Sequence, residues 1–467
     1  MSATSESKES TVESVSQTVI SQQPISIVAV ADAPVPTTTT IIENPKEVIK
    51  DDETISAPSM NPLEVFWLFF NFGIRAFGGP VAQINMMRED LVEKAKWITP
   101  VKFNRVLAVY QILPGPEATE MACYFGLIAG GRLGALMGGL GFILPGLLLM
   151  LLCSWLYTKF GIQNAMFQAI FSAVQPAVCA MMFRAAHKIG EAGTKNPITK
   201  QFDWNLGLLA AMGAFQSVIQ VNFFITKAHL ALLYIALKNK YMYLGYALAI
   251  LPTAAYLIAI GLKGPMETLV PMGVGIAERL GNTYASHFVV GLLGGLVTFG
   301  GAYTAVPFIQ YECVTGGKWI LNQVFLDSLA ISSLLPTPMV MFITLVGFVA
   351  GSQESANLGP AGGLVAALLM TLGMFLPAFI MPCLFHSFFE GVAKSRGVIA
   401  DILDSMTATV VGLVAYTGCQ LMRSSVTRPI DAIIFIMSLN TLYTVPHKFT
   451  PVFVVLSAAL GGVVLYG

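Results

Sequence analysis

The sequence Phe77-Gly78-Gly79-Pro80, followed further along by Leu113-Pro114-Gly115-Pro116, decides how this chain folds. Both motifs lie among apolar residues and contain residues that interrupt a helix, since glycine tolerates unusual backbone angles and proline lacks a backbone donor. An interrupted helix persists in hydrocarbon only where protein buries the opened backbone or where that backbone lines a polar cavity. The two motifs therefore predict a broken membrane helix whose free amide and carbonyl ends are available to a ligand.

Both motifs recur in the second half of the chain. Phe299-Gly300-Gly301 and Leu335-Pro336-Thr337-Pro338 follow their first copies at one and the same offset, because 299 − 77 equals 335 − 113. Further along, Leu144-Pro145 matches Leu376-Pro377 at a slightly larger offset (376 − 144), which places the added residues in the polar stretch 353–357. We interpret this pattern as an internal duplication of a membrane unit, an arrangement typical of transporters.

The composition excludes an ordinary soluble domain. Hydrophobic residues make up 55% of the 467 positions and charged residues only 11%, whereas soluble domains carry about 25% charged residues. Residues 1–60 hold nine acidic and three basic residues, so the remainder holds 23 basic and 17 acidic residues. This positive balance fits an anionic cargo, and it also fits cytoplasmic loops that follow the positive-inside rule.

The distribution of apolar runs divides the chain into four parts. Residues 1–61 are rich in Ser, Thr, Val and Pro and are predicted to form a disordered cytosolic tail. A first helical unit is predicted at 62–262, a connector at 263–285 and a second unit at 286–467. The stretch 86–105 holds five Lys or Arg residues and its counterpart 308–327 holds only Lys318, which predicts opposite orientations. We therefore expect an all-α polytopic membrane protein with two inverted repeats and broken helices.

Glu117 is the leading candidate for an ionisable functional residue. It directly follows the first break, in a predicted crossing whose only other carboxylate is Glu120, and an ionisable residue at membrane depth suggests function. Two roles stay open for Glu117: it could carry a proton, or it could stabilise the N-terminus of the half-helix that starts after Pro116. The counterpart of Glu117 in the second unit is Met339, so a titratable role there would belong to one unit only.

The two breaks and the two glycine pairs are candidates for an oxyanion site. Exposed amides at glycine turns and helix N-termini bind anions, while the alternative is close helix packing through small residues. Arg75 could pair with the anion or with Glu117, or could extend toward the membrane interface. The candidate substrate-binding residues are Arg75, Gly78, Gly79, Pro80, Gln111, Pro114, Gly115, Pro116, Thr119, Gly300, Gly301, Pro336, Thr337 and Pro338, with Ser333 as a further neutral donor.

No enzyme signature is visible in the sequence. The six cysteines and five histidines are dispersed, so neither a disulfide framework nor a metal site is expected. No phosphate loop, HExxH or Gly-x-Ser-x-Gly motif occurs, and no cofactor or nucleic-acid partner is predicted. The expected partners are a small dianion, protons and the lipid bilayer, and the sequence leaves a homodimer open.

The motifs together resemble those of the chromate ion transporter family. The resemblance rests on the first Phe-Gly-Gly-Pro, on Gln111-Ile112-Leu113-Pro114-Gly115-Pro116-Glu117-Ala118-Thr119 and on Phe142-Ile143-Leu144-Pro145, and the second-half motifs resemble those of the long, two-unit members. It implies movement of chromate, or of a similar dianion such as sulfate, across a membrane with proton coupling. Ala302 and Thr337 replace a proline and a glycine of the first unit, so the second half-site is expected to be a modified partner.

We therefore expect a secondary transporter that is not an enzyme. The long tail is typical of a eukaryotic member, and the plasma membrane is favoured over an internal membrane. Three alternatives stay open: a passive oxyanion channel, a transporter of an unrelated cargo, and a membrane scaffold. The direction of transport is not decided by the sequence.

Overall fold

The computed structural model describes residues 56–238, 275–298, 302–394 and 398–466, apart from short gaps at 112, 162–164, 196–200, 220–222, 354–358, 446 and 448, and it adds scattered positions between 241 and 258. The predicted tail up to residue 55 lies outside the described residues. The same holds for the predicted connector up to residue 274, for most of the predicted insertion at 353–357 and for Gly300-Gly301.

Helices in the first half begin and end where the sequence supplies caps, glycines and prolines. Asn61 caps the first helix: its side chain accepts from the Leu63 amide, and Glu64 accepts from the Asn61 amide. Non-helical angles at Gly130 and Gly131 interrupt the longest helix. The helices are α1 (Pro62–Ile74), α2 (Gly79–Met87) with a π-helical extension (Arg88–Lys94), α3 (Pro100–Tyr110), α4 (Glu117–Leu156) with a π-helical extension (Tyr157–Gly161), α5 (Ala165–Gly193), α6 (Trp204–Val218) and α7 (Phe223–Lys238).

The second half repeats this plan. The predicted break at Leu335-Pro336-Thr337-Pro338 separates two helices, as the first break separates α3 from α4. The elements are α8 (Ile276–Leu280), α9 (Tyr284–Val297), a 3-10 turn (Ala302–Thr304), α10 (Ala305–Gln310) with a π-helical extension (Tyr311–Gly316), α11 (Asn322–Leu334), a second 3-10 turn (Met339–Met341), α12 (Phe342–Ser352), α13 (Pro360–Lys394), α14 (Val398–Ser425), α15 (Pro429–Thr444) and α16 (Thr450–Leu465).

Several of these helices are apolar enough to cross a bilayer. Among the described residues, four helical segments have the length and hydropathy of a membrane span: Glu117–Phe160, Met166–Glu191, Pro360–Leu384 and Asp404–Ser425. Large apolar side chains also lie exposed on the outside of the two most apolar spans, for example at Leu133, Leu148, Leu368 and Leu372. A lipid environment would remove this surface from water, so the all-helical membrane fold predicted from the sequence is confirmed.

The duplication is visible in the packing of α1 on α4 and of α9 on α13. A Cβ placed on Gly73 would lie 2.5 Å from the carbonyl oxygen of Phe142, and a Cβ placed on Gly295 would lie 2.3 Å from that of Met374. The two glycines are related by the first sequence offset, since 295 − 73 equals 299 − 77, and the two carbonyls by the second, since 374 − 142 equals 376 − 144. Each pair of helices therefore meets backbone to backbone at equivalent positions.

The turn before each of two matched tryptophans supports the same conclusion. The φ angles of Lys96 and Lys318 are 53° and 52°. These two residues are related by the first sequence offset, and within the described part of the chain they are the two non-glycine residues with a positive φ angle. The next residues donate backbone hydrogen bonds in the same way, Trp97 to Leu91 and Trp319 to Cys313. A left-handed conformation is uncommon outside glycine, so its occurrence at matched positions marks a repeated structure.

Candidate functional site

Each helix break lies against the turn that ends the first helix of the other unit. The Gly115 amide donates to the Thr298 carbonyl at 2.9 Å. In the matching place, the Gln83 side-chain amide donates to the carbonyl oxygens of Ala76 at 2.8 Å and of Thr337 at 3.1 Å. The same junction therefore occurs twice, once through a direct backbone bond and once through a bridging glutamine. Each break is thus joined to the end of the first helix of the other unit.

The long helix of each unit packs against the break of the other unit. A Cβ placed on Gly146 of α4 would lie 2.4 Å from the Thr337 Oγ1 atom. A Cβ placed on Gly115 would lie 3.2 Å from the Ala378 Cβ atom of α13, and Gly146 and Ala378 are related by the second offset. Small residues at these two positions allow the opened backbone to approach the long helices closely.

Protein covers the opened backbone at both breaks. The buried residues are Leu113, Gly115, Pro116, Pro336, Thr337 and Pro338, whereas Pro114 and Leu335 are half-buried. Burial by protein is the condition under which a broken helix is tolerated in hydrocarbon. The breaks therefore face the interior of the protein.

Two carboxylates lie in the first turn of α4, directly after the first break. The residue Glu117 is 7% exposed and Glu120 is fully buried. Both carboxylate oxygens of Glu120 and the Thr119 hydroxyl have no hydrogen-bond partner among the described residues. Glu120 also lies against the break, because a Cβ placed on Gly115 would be 2.8 Å from its Oε1 atom. The spacing of three residues puts the side chains of Glu117 and Glu120 on one helix face.

The turn at Gly78-Gly79 has a backbone conformation that favours glycine. The φ angles are 87° and 81°, Gly78 caps α2, and Pro80 lies in its first turn. A Cβ placed on Gly79 would meet no atom within 4 Å. Open space beside Gly79 does not fit the packing alternative for this residue, and it leaves room for a ligand beside the backbone.

Arg75 lies at the edge of this arrangement. Its side chain is 52% exposed, its Nη1 atom is 3.4 Å from the Asp90 Oδ2 atom, and its guanidinium lies over the Phe72 ring at 5.0 Å. A hydrogen bond from Lys94, reinforced by the positive charge of Arg75, lowers the pKa of Asp90 below its usual value. Arg75 thus pairs with Asp90, and the alternative pairing with Glu117 is not among the ion pairs of the described residues.

The other neutral donors predicted from the sequence serve local hydrogen bonds or face outward. Ser333 donates to the Leu329 carbonyl of its own helix at 2.7 Å, and Thr337 donates to the Pro338 carbonyl at 3.4 Å. Gln111 is exposed at the end of α3. Thr119 is therefore the predicted donor whose hydroxyl is buried and unpaired within the described structure.

The structure adds a buried carboxylate that was not predicted as a site residue. Asp327 is 2% exposed and accepts from the Tyr157 hydroxyl at 2.7 Å and from the Gln175 side-chain amide at 2.9 Å. A cavity of about 420 Å³ is lined by Tyr157 and Asp327, and a second of about 280 Å³ is lined by Gln175 and Arg428. Asp327 is the one charged residue between positions 322 and 351, a range that contains the second break, so the rule that identified Glu117 would also have identified Asp327.

A buried cation was missed as well. The Lys227 Nζ atom of α7 donates to the Val297 carbonyl at 2.9 Å, and the residue is only 3% exposed. Among the residues whose burial the structure describes, Lys227 is the one Lys or Arg residue that is buried. The neighbouring Thr226 hydroxyl is buried without a hydrogen-bond partner in the same described part. A lysine at the start of an apolar run was the available signal.

Among the described residues, no group of three His, Cys, Asp or Glu side chains could hold a metal ion. The site is thus built from backbone amides and carbonyls, from the carboxylates of α4 and from a few hydroxyl and amide side chains. Backbone amides in such an arrangement can bind a small anion.

Comparison with known proteins agrees with the motifs. The sequence model of the chromate transporter family matches residues 63–250 and again residues 285–463. The chain is 38% identical to a chromate transport protein of Pseudomonas aeruginosa over 87% of this chain and 92% of that protein. It is 26% identical to one of Cupriavidus metallidurans (88% and 95%) and 25% identical to a probable one of Synechococcus elongatus (88% and 97%).

No solved structure matches the chain. The family resemblance drawn from the motifs is confirmed, and the two separate matches agree with the two repeats. The chain belongs to the chromate transporter family, in its long form with two units.

Proposed function

We propose that this chain is a secondary transporter that carries chromate, or a similar tetrahedral dianion such as sulfate, across a membrane with proton coupling. The observation that carries the proposal is the junction between Gly115 and Thr298, because it joins a broken helix of one unit to the end of the first helix of the other. Three relatives that match most of the chain are named as chromate transport proteins, one of them as a probable one, and these names support chromate as the cargo.

The anion would lie beside the first glycine turn and the first turn of α4. There the Gly79 backbone borders open space, and the Thr119 hydroxyl is buried without a partner among the described residues. Neutral amide and hydroxyl donors hold an oxyanion less tightly than a cluster of arginines, which suits a cargo that must be released again. Arg75 would assist from the edge of the site.

The carboxylates of α4 would couple binding to protons. A dianion next to ionised Glu117 and Glu120 would meet two like charges in a medium of low dielectric constant, and this repulsion amounts to several kcal/mol. Protonation would remove the repulsion and would turn each carboxyl into a donor to the oxyanion. Cargo and protons would therefore bind together and leave together.

Chromate flux into proteoliposomes under an imposed pH gradient tests this function. We expect accumulation of chromate against its gradient, and loss of that accumulation when an uncoupler is added. Flux that only follows the chromate gradient and ignores the uncoupler would favour a passive channel. The absence of both flux and binding would favour a scaffold, and competition with sulfate and molybdate would reveal a different cargo.

We also propose the inverted arrangement of the two units, with the tail at 1–61, the units at 62–262 and 286–467 and the connector at 263–285. Its support is the unequal charge of two matched segments, 86–105 and 308–327. Single cysteines introduced at the matched turn residues Lys96 and Lys318, in a chain without its own exposed cysteine, would then react with an impermeant thiol reagent from opposite sides of a plasma-membrane vesicle.

A further inference from the structure

The second unit has a buried carboxylate at a place where the first unit has none. Asp327 lies on α11 before the second break, and the 335 − 327 residues that separate it from Leu335 span about 12 Å along a helix. Its counterpart in the first unit is the exposed Arg105, since 327 − 105 equals 299 − 77. Asp327 is therefore a feature of the second unit alone, as Glu117 is of the first.

Both oxygens of the Asp327 carboxylate are held by neutral side chains of the first unit. The Tyr157 hydroxyl donates to Oδ2 at 2.7 Å, and the Gln175 side-chain amide donates to Oδ1 at 2.9 Å. The ion pairs between described residues do not include Asp327. A buried carboxylate without a cation partner carries a desolvation cost, and binding of a proton removes that cost.

The elements packed against α11 do not bring a charge of their own to this carboxylate. α12, α16 and the second 3-10 turn contain no ionisable residue. α5 contributes Gln175, and its charged residues begin at Arg184, further along by 184 − 175 positions. The extension of α4 contributes Tyr157, whereas its Lys159 is exposed and lies over the Trp155 ring at 4.9 Å.

The cavity of about 420 Å³ leads from exposed residues to Asp327. Lys318 and Gln323 on its wall are exposed, and Tyr157, Val324 and Asp327 are buried. The volume has room for several water molecules, and these side chains supply polar atoms that water can bind. The described lining contains no residue of the first break or of the first turn of α4, so this route for protons is separate from the α4 carboxylates.

The same three side chains can hydrogen-bond both protonation states of Asp327. When a proton is on Oδ2, the Tyr157 oxygen can accept it and turn its own hydrogen toward the cavity, while Gln175 still donates to Oδ1. An O–H bond forms on the carboxylate as water in the cavity gives up a proton, and the same bond breaks when the proton returns to water. Neither step needs a further reactant.

We propose that Asp327 is a second proton-binding site of the transporter, which is loaded through the cavity that Tyr157 and Lys318 line and is separate from the carboxylates of α4. This inference rests on the proposed function, because it gives the proton gradient a point of entry in the second unit. The distance of Asp327 from the second break means that the residue acts on coupling and not on the affinity for the cargo.

Infrared spectroscopy of the purified full-length chain in detergent, titrated with acid in the absence of any cargo, tests proton binding directly. The unchanged chain should show a protonated-carboxyl band that grows as the pH falls, and Asp327→Asn should lose part of this band. Tyr157→Phe should move the midpoint of the band to higher pH, because it removes a donor to the ionised carboxylate.

Asp431→Asn is the matched control. Asp431 is also buried and also accepts from a tyrosine hydroxyl, that of Tyr466, but it pairs with Arg428 at 3.6 Å. A cation partner favours the ionised carboxylate, so this variant should keep the band of the unchanged chain.

Chromate accumulation in proteoliposomes under an imposed pH gradient tests the link to transport. We expect Asp327→Asn to accumulate at least tenfold less chromate than the unchanged chain, while its Kd for chromate at one fixed pH changes by less than about twofold. A residue with a purely structural role would instead lower the unfolding temperature, the affinity and the accumulation together, and would leave the infrared band unaltered.

The outcomes separate this inference from the proposed function. If the unchanged chain accumulates chromate and Asp327→Asn keeps both the band and the accumulation, the role of Asp327 is refuted while the proposed function stands. Loss of the band with full accumulation would also refute the role in coupling. If Asp327→Asn does not fold, an unmoved midpoint in Tyr157→Phe refutes proton binding. If the unchanged chain does not accumulate chromate, the proposed function fails, and the infrared titration still decides whether Asp327 binds a proton.

Discussion

The backbone amide of Gly115 donates to the carbonyl of Thr298 at 2.9 Å, from one half of the chain to the other. One partner lies in the first helix break, and the other ends the helix before the second glycine turn. The matching contact in the other direction runs through the Gln83 side chain to Thr337. Each break, which would be unstable alone in hydrocarbon, is thus bonded to the end of the first helix of the other unit.

The carboxylates of α4 should control the pH dependence of transport. We expect Glu120→Gln and Glu117→Gln to flatten the dependence of chromate flux on pH, because a side-chain amide cannot exchange a proton. Glu120→Gln should have the larger effect, since Glu120 is fully buried and lies against Gly115. Flux in proteoliposomes across a range of pH values, with folding checked by thermal unfolding, is the measurement.

Glu93→Gln is the control for this pair, because Glu93 is about half exposed and pairs with Arg88 outside the break. Its pH profile should equal that of the unchanged chain. An unaltered profile in both Glu117→Gln and Glu120→Gln would remove these residues from proton coupling.

The open space beside Gly79 should be needed for cargo. A methyl group at Gly79 would stand where no protein atom lies within 4 Å, so we expect Gly79→Ala to weaken chromate binding at least tenfold. The substitution also forces an alanine into a left-handed conformation, which costs about 1–2 kcal/mol of stability. Chromate titration and thermal unfolding of the same preparation separate the two effects.

Gly131→Ala is the control that carries a backbone cost without the cargo effect, because φ 64° with ψ −158° is a conformation that almost only glycine adopts. Gly131 also has a positive φ angle, 64°, and open space around its Cβ position, but it lies at the kink within α4. Equal chromate affinities of the two variants would show that Gly79 serves only the conformation of its turn.

The bridging role of Gln83 should be measurable as stability. Gln83→Leu removes the donor shared by the Ala76 and Thr337 carbonyls, and a buried acceptor left unpaired costs about 1–3 kcal/mol. Chemical or thermal unfolding in detergent gives the loss. Gln420→Leu, which removes a half-buried bond to Tyr416 on the same helix, should lose less; the reverse order would contradict the junction.

The Asp327 cluster should contribute to stability through its hydrogen bonds. Tyr157→Phe removes the 2.7 Å bond from the hydroxyl to the Asp327 carboxylate, and a hydrogen bond to a charged group contributes about 1.5–3 kcal/mol. Tyr241→Phe, at an exposed tyrosine, should change stability by less than about 0.5 kcal/mol. A change at Tyr157 as small as that at Tyr241 would mean that the cluster does not stabilise the fold.

The sequence predicted the repeat, the breaks and the position of Glu117, because glycine, proline and a carboxylate in an apolar segment act locally and can be recognised from a few neighbouring residues. It did not predict Gln83 or Lys227. Gln83 reaches a carbonyl 254 positions away and Lys227 one 70 positions away, and such pairs are set by the packing of whole helices. Asp327 was not predicted as a site residue although it is also an isolated charge near a break, because it lies before the second break whereas Glu117 directly follows the first.

The central claim is that the two breaks and the two glycine turns hold one doubly negative oxyanion between them. Anomalous X-ray diffraction at the chromium absorption edge, from crystals of the full-length chain grown with chromate, tests it most directly. We predict an anomalous peak at a position from which the chromate oxygens accept hydrogen bonds from the Gly79 backbone or from the Thr119 hydroxyl. A chromium peak bound only at the exposed surface of the helices, or only in the cavity beside Asp327, would contradict the claim.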